Sequence, residues 1–197
     1  MIALTMPLRA LFEVNSRLLA IGRWIAGVLI GLMTAVILYQ VLMRYAFNAA
    51  PTWSEEAARF MMLWMTGLIA PSGYRWGGFV AIDTVVRVLP RVAATLLSLF
   101  LLVLAFTVLV IGLSIGIDEV TGFAGSFKTA ALYYPVFGAE GLEFEKMPRS
   151  WMMLSLVVGV ALMISVNVEL ILRTLIAFLS PETKTPVDTA AFSAGAD

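Results

Sequence analysis

The sequence contains no cysteine and no histidine, and only 13% of its 197 residues are charged. Without cysteine, disulfides, thiolate zinc sites and cysteine-ligated iron–sulfur clusters are excluded; without histidine, imidazole zinc sites and histidine-ligated haem are excluded. Nucleophilic catalysis of the Ser-His-Asp or Cys-His type needs residues that this chain lacks. We therefore expect no catalytic residue, no cofactor and no metal site.

Apolar residues dominate what is present. They make up 61% of the chain, and the mean hydropathy is +0.96. Soluble domains are close to half apolar and about a quarter charged, so polar residues here are too few to cover a core in water. The formal net charge is +0 and no basic tail is present, which gives no indication of nucleic-acid binding. Membrane lipids are therefore the expected surroundings.

Four stretches reach the length of about 20 mostly apolar residues that a membrane-spanning helix needs. They run roughly over residues 24–43, 53–76, 92–117 and 151–172. The sequence thus predicts an all-α integral membrane protein with one four-helix transmembrane domain over residues 1–180. Residues 181–197 are polar and rich in small side chains, and they predict a disordered cytoplasmic tail.

Two further segments predict helices that lie in the membrane interface. The first precedes Trp24 and is amphipathic, and an ordinary packed amphipathic helix is the alternative. The second covers residues 79–89, where Asp83 and Arg87 form an i,i+4 pair before Pro90, and a solvated loop is the alternative. In the first segment one face carries Arg9, Glu13, Ser16 and Arg17, and the other carries Leu8, Leu11, Phe12, Leu18 and Leu19.

Lysine and arginine predict the orientation, because cytoplasmic loops carry the excess of both. With four spans and a cytoplasmic N-terminus, the outer side carries the smaller group, Arg44, Arg59, Lys128, Lys146 and Arg149. The inner side carries the larger group, Arg9, Arg17, Arg23, Arg75, Arg87, Arg91, Arg173 and Lys184. We expect a multi-pass membrane protein with both termini in the cytoplasm and the connection 118–150 outside.

The start of the second span carries the richest local pattern, Pro51-Thr52-Trp53-Ser54-Glu55-Glu56-Ala57-Ala58-Arg59. Thr52 and Glu55 have the spacing of a capping box, and Glu55, Glu56 and Arg59 share one helical face. Arg44, at the end of the first span, is expected to approach the two glutamates across a short turn. The cluster predicts either a partner-binding surface or only a well-capped helix start.

The middles of the spans lack ionisable side chains. A secondary transporter usually carries polar or ionisable groups, or paired broken helices, at the bilayer midplane. A small proton-coupled exporter is likewise expected to need a carboxylate there. The chain alone is therefore not expected to transport a solute, and a structural subunit fits the pattern better.

A group of residues between positions 44 and 90 carries a family resemblance. They are Arg44-Tyr45, Asn48, Pro51, Trp53-Ser54-Glu55-Glu56, Arg59, Gly77-Gly78, Ile82-Asp83 and Leu89-Pro90. In order and spacing they resemble the small (DctQ-type) membrane subunit of TRAP transporters, which are tripartite, ATP-independent periplasmic solute uptake systems. The four-span plan extends the resemblance over nearly the whole chain. Two departures are Phe79, where the family often has histidine, and a lengthened outer connection around residues 131–146.

The resemblance implies partners and a division of labour. It implies a large DctM-type membrane subunit that holds the substrate and sodium sites and moves as an elevator, and a periplasmic binding protein that delivers an organic acid. This chain would be a fixed, non-catalytic scaffold. Its expected partner interface comprises Arg44, Tyr45, Trp53, Ser54, Glu55, Glu56, Arg59 and Asp83. Two alternatives are the membrane anchor of a quinone-linked oxidoreductase, disfavoured by the absence of histidine, and a stand-alone small exporter.

Overall fold

Four α-helices and a two-stranded sheet make up the described part of the chain. The structure, a computed structural model, describes residues 2–77, 89–138 and 141–179. A short turn joins α1 to α2. A 3-10 turn at Phe123–Ser126 leads from α3 into the sheet. The elements are α1 (Ile2–Ala46), α2 (Trp53–Gly77), α3 (Arg91–Thr121), β1 (Lys128–Gly138), β2 (Gly141–Pro148) and α4 (Ser150–Leu179).

The helices pack side by side in the order α1, α2, α4, α3. Antiparallel packing of α1 and α2 is shown by contacts at both ends, where Tyr39 stacks on Trp53 at 6.2 Å and Arg23 Nη1 donates to Ser72 Oγ at 3.4 Å. Helix α4 runs parallel to the later part of α2, with contacts from Trp64–Trp151 to Arg75–Glu169. Helix α3 packs chiefly on α4. The inner pair, α2 and α4, therefore forms the centre of the bundle.

Three of the described helical segments are long and apolar enough to cross a membrane: Leu8–Ala46, Val92–Thr121 and Ser150–Leu179. Large apolar side chains cover their outer surfaces; on α3, for example, Phe100 is 65% exposed and Val108 is 62% exposed. Lipid is the solvent that favours such a surface. The prediction of a helical membrane protein is confirmed. Helix α2 is not among the three, because charged residues occupy both ends and Pro71, Ser72 and Gly73 lower its hydropathy.

The predicted N-terminal interfacial helix is not a separate element. It forms the first half of α1, a single helix of 45 residues that is about 68 Å long at 1.5 Å per residue. No proline separates the amphipathic segment from the apolar run, so the backbone hydrogen bonds continue through both. The buried residues of this first half recur at helical spacing and pack against neighbouring helices. They are Leu8, Asn15, Leu19 and Ala26.

The outer connection corrects the all-α prediction, because it forms an antiparallel hairpin of β1 and β2. Aromatic and β-branched residues such as Tyr133, Val136 and Phe144 favour extended structure, and the strands pair regularly from Tyr133↔Lys146 to Gly138↔Gly141. The pairing is irregular between Lys128 and Tyr133. Two other predictions lie outside the described residues: the interfacial helix over residues 79–89 with Asp83, apart from its last residue, and the tail at 181–197.

Close backbone approach between α2 and α4 depends on two glycines. A Cβ added at Gly159 would lie 2.7 Å from the carbonyl oxygen of Gly67, and one added at Gly67 would lie 2.4 Å from the carbonyl oxygen of Ser155. Pro71, four residues after Gly67, has no N–H to donate to the Gly67 carbonyl. One Cα hydrogen of Gly159 points at this oxygen, which the helix leaves without its usual donor. This contact fixes the spacing at which the polar side chains of the two helices meet.

Candidate functional site

Glu56, in the first turn of α2, binds the backbone of the β-hairpin. Its Oε1 accepts the N–H of Ala130 at 2.9 Å, and its Oε2 accepts the N–H groups of Ala131 at 2.6 Å and Leu132 at 3.1 Å. These three amides lie in the irregular part of β1, where the strand leaves its donors unpaired with β2. A carboxylate that accepts several backbone N–H groups makes strong, charge-assisted hydrogen bonds. Glu56 thus attaches the hairpin to α2.

The other charged residues of the predicted cluster make only local or no ion pairs. Glu55 pairs with Arg59 at 3.3 Å, and both side chains are largely exposed. Within the described residues Arg44, which was expected to approach the two glutamates, forms no ion pair with either of them: Glu55 pairs with Arg59, and Glu56 binds the hairpin. The proposed capping box is also not formed, since the described contacts of Glu55 are to Arg59 and not to Thr52.

The remaining predicted interface residues differ in accessibility. Ser54 is fully buried and donates from its hydroxyl to the carbonyl oxygen of Pro51 at 2.8 Å, so it braces the start of α2. Tyr45 is 82% exposed, whereas Trp53 is 42% exposed and stacks on Tyr39. The turn between them passes through Asn48, whose φ of 50° lies in the left-handed region that asparagine tolerates at helix ends. This local geometry explains the asparagine of the motif.

An open cleft of about 420 Å³ separates the start of α2 from β1. It is lined by Thr52 and Trp53 on one side and by residues 130–133 on the other. The hydrogen bonds of Glu56 hold these two walls together. The structure therefore brings Trp53 and Glu56, two of the residues predicted from sequence, into one surface with a hairpin that the sequence did not predict.

We expect Glu56→Ala to release the hairpin from α2, because three amide hydrogen bonds to a charged acceptor are lost together. Hydrogen exchange at residues 130–132, followed by mass spectrometry, should become at least about tenfold faster, the equivalent of about 1.4 kcal/mol. Glu55→Ala is the matched control, since an exposed pair contributes well under about 1 kcal/mol. Equal exchange in the two variants would show that Glu56 does not hold the hairpin.

A second polar site lies at the opposite end of the bundle and is centred on Glu169 of α4. Among the described residues, Glu169 is the charged side chain with no exposed surface. Its Oε1 accepts from Arg75 Nη2 at 2.9 Å and from the guanidinium of Arg173, and its Oε2 accepts from Asn15 Nδ2 at 2.7 Å. One carboxylate therefore joins α1, α2 and α4. The site, here called the Glu169 cluster, comprises Glu169, Arg75, Arg173, Asn15, Ser16, Ser165 and Phe12.

Neighbouring side chains complete the Glu169 cluster. Arg75 Nη1 donates to Ser16 Oγ at 3.0 Å, and Ser165 Oγ donates to Asn15 Oδ1 at 2.7 Å. The guanidinium carbons of Arg75 and Arg173 lie 4.7 and 5.2 Å from the centre of the Phe12 ring. Two cations thus share one carboxylate and one aromatic ring, which compensates for their removal from water.

The position of the Glu169 cluster indicates its role. Glu169 lies about 27 Å along α4 from Trp151 at 1.5 Å per residue, near the far edge of a hydrocarbon core about 30 Å thick. It is therefore not a midplane carboxylate of the kind that carries protons or ions. Its oxygens are occupied by three side chains, and the cluster is a joint between helices. The sequence shows Glu169 and Arg75 near the ends of apolar runs, but Asn15 carries no signal that would separate it from an ordinary surface residue.

We expect Glu169→Gln to destabilise the bundle by about 3–5 kcal/mol, because it leaves two largely buried guanidinium groups without their anion. The thermal unfolding midpoint of the purified protein in detergent should fall accordingly. Glu13→Gln is a close control, since Glu13 and Arg17 form the same i,i+4 pair on an exposed face and contribute less than about 1 kcal/mol. Similar small shifts in both variants would contradict the assigned role of the Glu169 cluster.

The fold and the sites define a helical membrane protein whose polar groups join its own elements. A comparison with protein families identifies it further: the family described as "Tripartite ATP-independent periplasmic transporters, DctQ component" matches residues 33–177. Since the match covers most of the chain, the chain belongs to the DctQ family of TRAP transporter components. No curated protein matches the chain. The matched range includes Glu56 and Glu169, whereas Asn15 lies before it.

Proposed function

We propose that this chain is the small, non-catalytic subunit of a TRAP transporter and serves as a fixed scaffold for the large, sodium-coupled elevator subunit. That large, DctM-type subunit would take up an organic acid delivered by a periplasmic binding protein. The observation that carries the proposal, beside the family match, is the Glu169 cluster. Each carboxylate oxygen of Glu169 already accepts hydrogen bonds from side chains of the same chain, so it offers no site for a solute or a coupling ion.

Four membrane spans belong to the proposal: α2 is the fourth, beside the three helical segments that are long and apolar enough to cross a membrane. Helix α2 has 25 residues and is about 37 Å long, enough for a hydrocarbon core of about 30 Å. It packs on α1 along one side and on α4 along another, which shields much of its surface from lipid. A helix sheltered in this way tolerates a lower hydropathy, because fewer of its side chains meet hydrocarbon.

The proposed orientation has both termini in the cytoplasm of a bacterial cell and the chain in the inner membrane. The excess of lysine and arginine at the corresponding end supports it. The Glu169 cluster then lies near the cytoplasmic surface, and Glu56, the cleft and the β-hairpin lie on the periplasmic side. The outer flanks of α1 and α3 remain as apolar surfaces for lipid or for the large subunit.

Co-purification and reconstitution test this proposal. A tag on this chain should retain the large membrane subunit encoded beside it. Liposomes that contain both subunits should accumulate solute when the binding protein and an inward sodium gradient are supplied. Liposomes with this chain alone should accumulate none, and they serve as the control. Solute uptake by the chain alone, or a failure to associate with any large membrane protein, would contradict the scaffold function.

A further inference from the structure

The apolar run of α1 contains one charged side chain, Arg23. Residues 18–43 otherwise carry no lysine, arginine, aspartate or glutamate, and no carboxylate pairs with Arg23 among the described residues. A cation in such a run needs an anion or access to the membrane surface. We propose that Arg23 binds the phosphate of an anionic phospholipid whose acyl chain lies along Gly27 and Gly31. The inference is independent of the proposed function, because it requires only that the helices lie in lipid.

The side chain of Arg23 extends along the bundle towards the C-terminal end of α2. The backbones of α1 and α2 meet beside it, where a Cβ added at Gly22 would lie 3.1 Å from the carbonyl oxygen of Leu68. The guanidinium of Arg23 contacts Ser72 and Trp76 instead, one and two helical turns further along α2. A long basic side chain takes this course when its charged head leaves the hydrocarbon for the headgroup level, where lipid phosphates lie.

The contacts of Arg23 leave most of its hydrogen-bond donors available. Its Nη1 donates to Ser72 Oγ at 3.4 Å, which is a long hydrogen bond, and its guanidinium carbon lies 5.0 Å from the centre of the Trp76 ring. A guanidinium carries five N–H groups in a planar fork that matches phosphate oxygens. Trp76 is 69% exposed, and tryptophan is typical of the headgroup level. The fork and the ring therefore form a phosphate site on the outer surface of the bundle.

Two open glycines follow Arg23 along α1 in the opposite direction, towards the middle of the apolar run. Gly27 and Gly31 lie one and two turns after Arg23, so the three positions share one side of the helix. A Cβ added at either glycine would meet no atom within 4 Å, whereas one added at Gly67, in the contact of α2 with α4, would lie 2.4 Å from a carbonyl oxygen. The open backbones form a shallow groove about 12 Å long from Arg23 to Gly31, enough for much of an acyl chain.

The order of the cation and the groove favours a phospholipid over a helix of another protein. A lipid places its phosphate at the headgroup level and its acyl chain towards the midplane, as Arg23 and the two glycines require. A helix packed on Gly27 and Gly31 would need a carboxylate within its own span to reach Arg23, and such residues are rare in membrane segments.

Charge favours an anionic lipid over a zwitterionic one. In the first half of α1 the basic residues outnumber the acidic ones, and basic segments at a membrane surface attract anionic headgroups. The basic residues are Arg9, Arg17 and Arg23, and the acidic one is Glu13.

Native mass spectrometry tests the phosphate site on the full chain, purified in detergent with the membrane subunit that it retains and titrated with phosphatidylglycerol. Arg23→Gln should weaken the tightest binding of this lipid by about tenfold or more, because a charge-assisted contact is lost. Arg17→Gln is the matched control, since it removes the same charge from α1 at an exposed position that pairs with Glu13 at 3.5 Å. Arg23→Lys keeps the cation and should retain most of the affinity. Equal affinities of the Arg23→Gln and Arg17→Gln variants would overturn the inference.

A second pair of variants tests the groove. Gly31→Leu should weaken binding of phosphatidylglycerol by about fivefold, because the new side chain occupies the place of about two methylene groups of the lipid. Gly112→Leu on α3 is the control: a Cβ added there also meets no atom within 4 Å, but no cation precedes it on its helix face. Equal effects of the two substitutions would show that the acyl chain does not lie along α1.

Other occupants of the site give different results. Inorganic phosphate at the same concentration as the lipid should not displace it; displacement would assign Arg23 to a free anion and overturn the inference. Loss of the large subunit from the Arg23→Gln variant, with lipid binding unchanged, would assign Arg23 to a carboxylate of that subunit and also overturn it. If the wild-type chain retains no large subunit, the proposed function fails, whereas the lipid titration of the chain still decides the inference.

Discussion

The structure depends on one buried carboxylate that three helices share. Glu169 carries a negative charge where little water reaches, so it must be compensated, and its partners come from α1, α2 and the next turn of α4. The position of each helix is fixed by this requirement, because a shift of one residue would leave a charge without a partner. The close approach of Gly67 and Gly159 sets the separation at which these long side chains can meet. Apolar packing in lipid supplies no comparable directionality, since helix surfaces and lipid tails are equally apolar.

The two ends of the bundle use carboxylates in different ways. Glu169 is surrounded by side chains and joins helices, whereas Glu56 accepts backbone amides and attaches a hairpin that reaches beyond the helix ends. The first arrangement favours a rigid body in the membrane. The second places exposed aromatic side chains on a β-hairpin that extends beyond the helix ends.

The helices and the family could be predicted from the sequence, but the contacts that organise them could not. Long apolar runs show where helices form, and the Trp53–Arg59 pattern identified the family, because both signals are local. The partner of Glu56 lies 75 residues away from it in the chain at Ala131, and no local spacing indicates that pairing. Asn15 could not be predicted either, because a single polar residue in an amphipathic segment cannot be distinguished from a surface residue until its partner is known. The outer hairpin was missed because its strands are few and the surrounding chain is helical, although its tyrosines and phenylalanines favour extended structure.

In the proposed function, α1, α2 and α4 stay in fixed positions while the large subunit moves. The chain has no cysteine, so a disulfide engineered into it is unique within it. A Cβ built at Gly22 lies 3.8 Å from the Cβ of Leu68, a separation that a disulfide accommodates. The measurement is the uptake rate of the reconstituted transporter with Gly22→Cys/Leu68→Cys in the oxidised and reduced states. Equal rates would support a rigid scaffold. A rate that falls on oxidation and recovers on reduction would show that α1 and α2 move during transport.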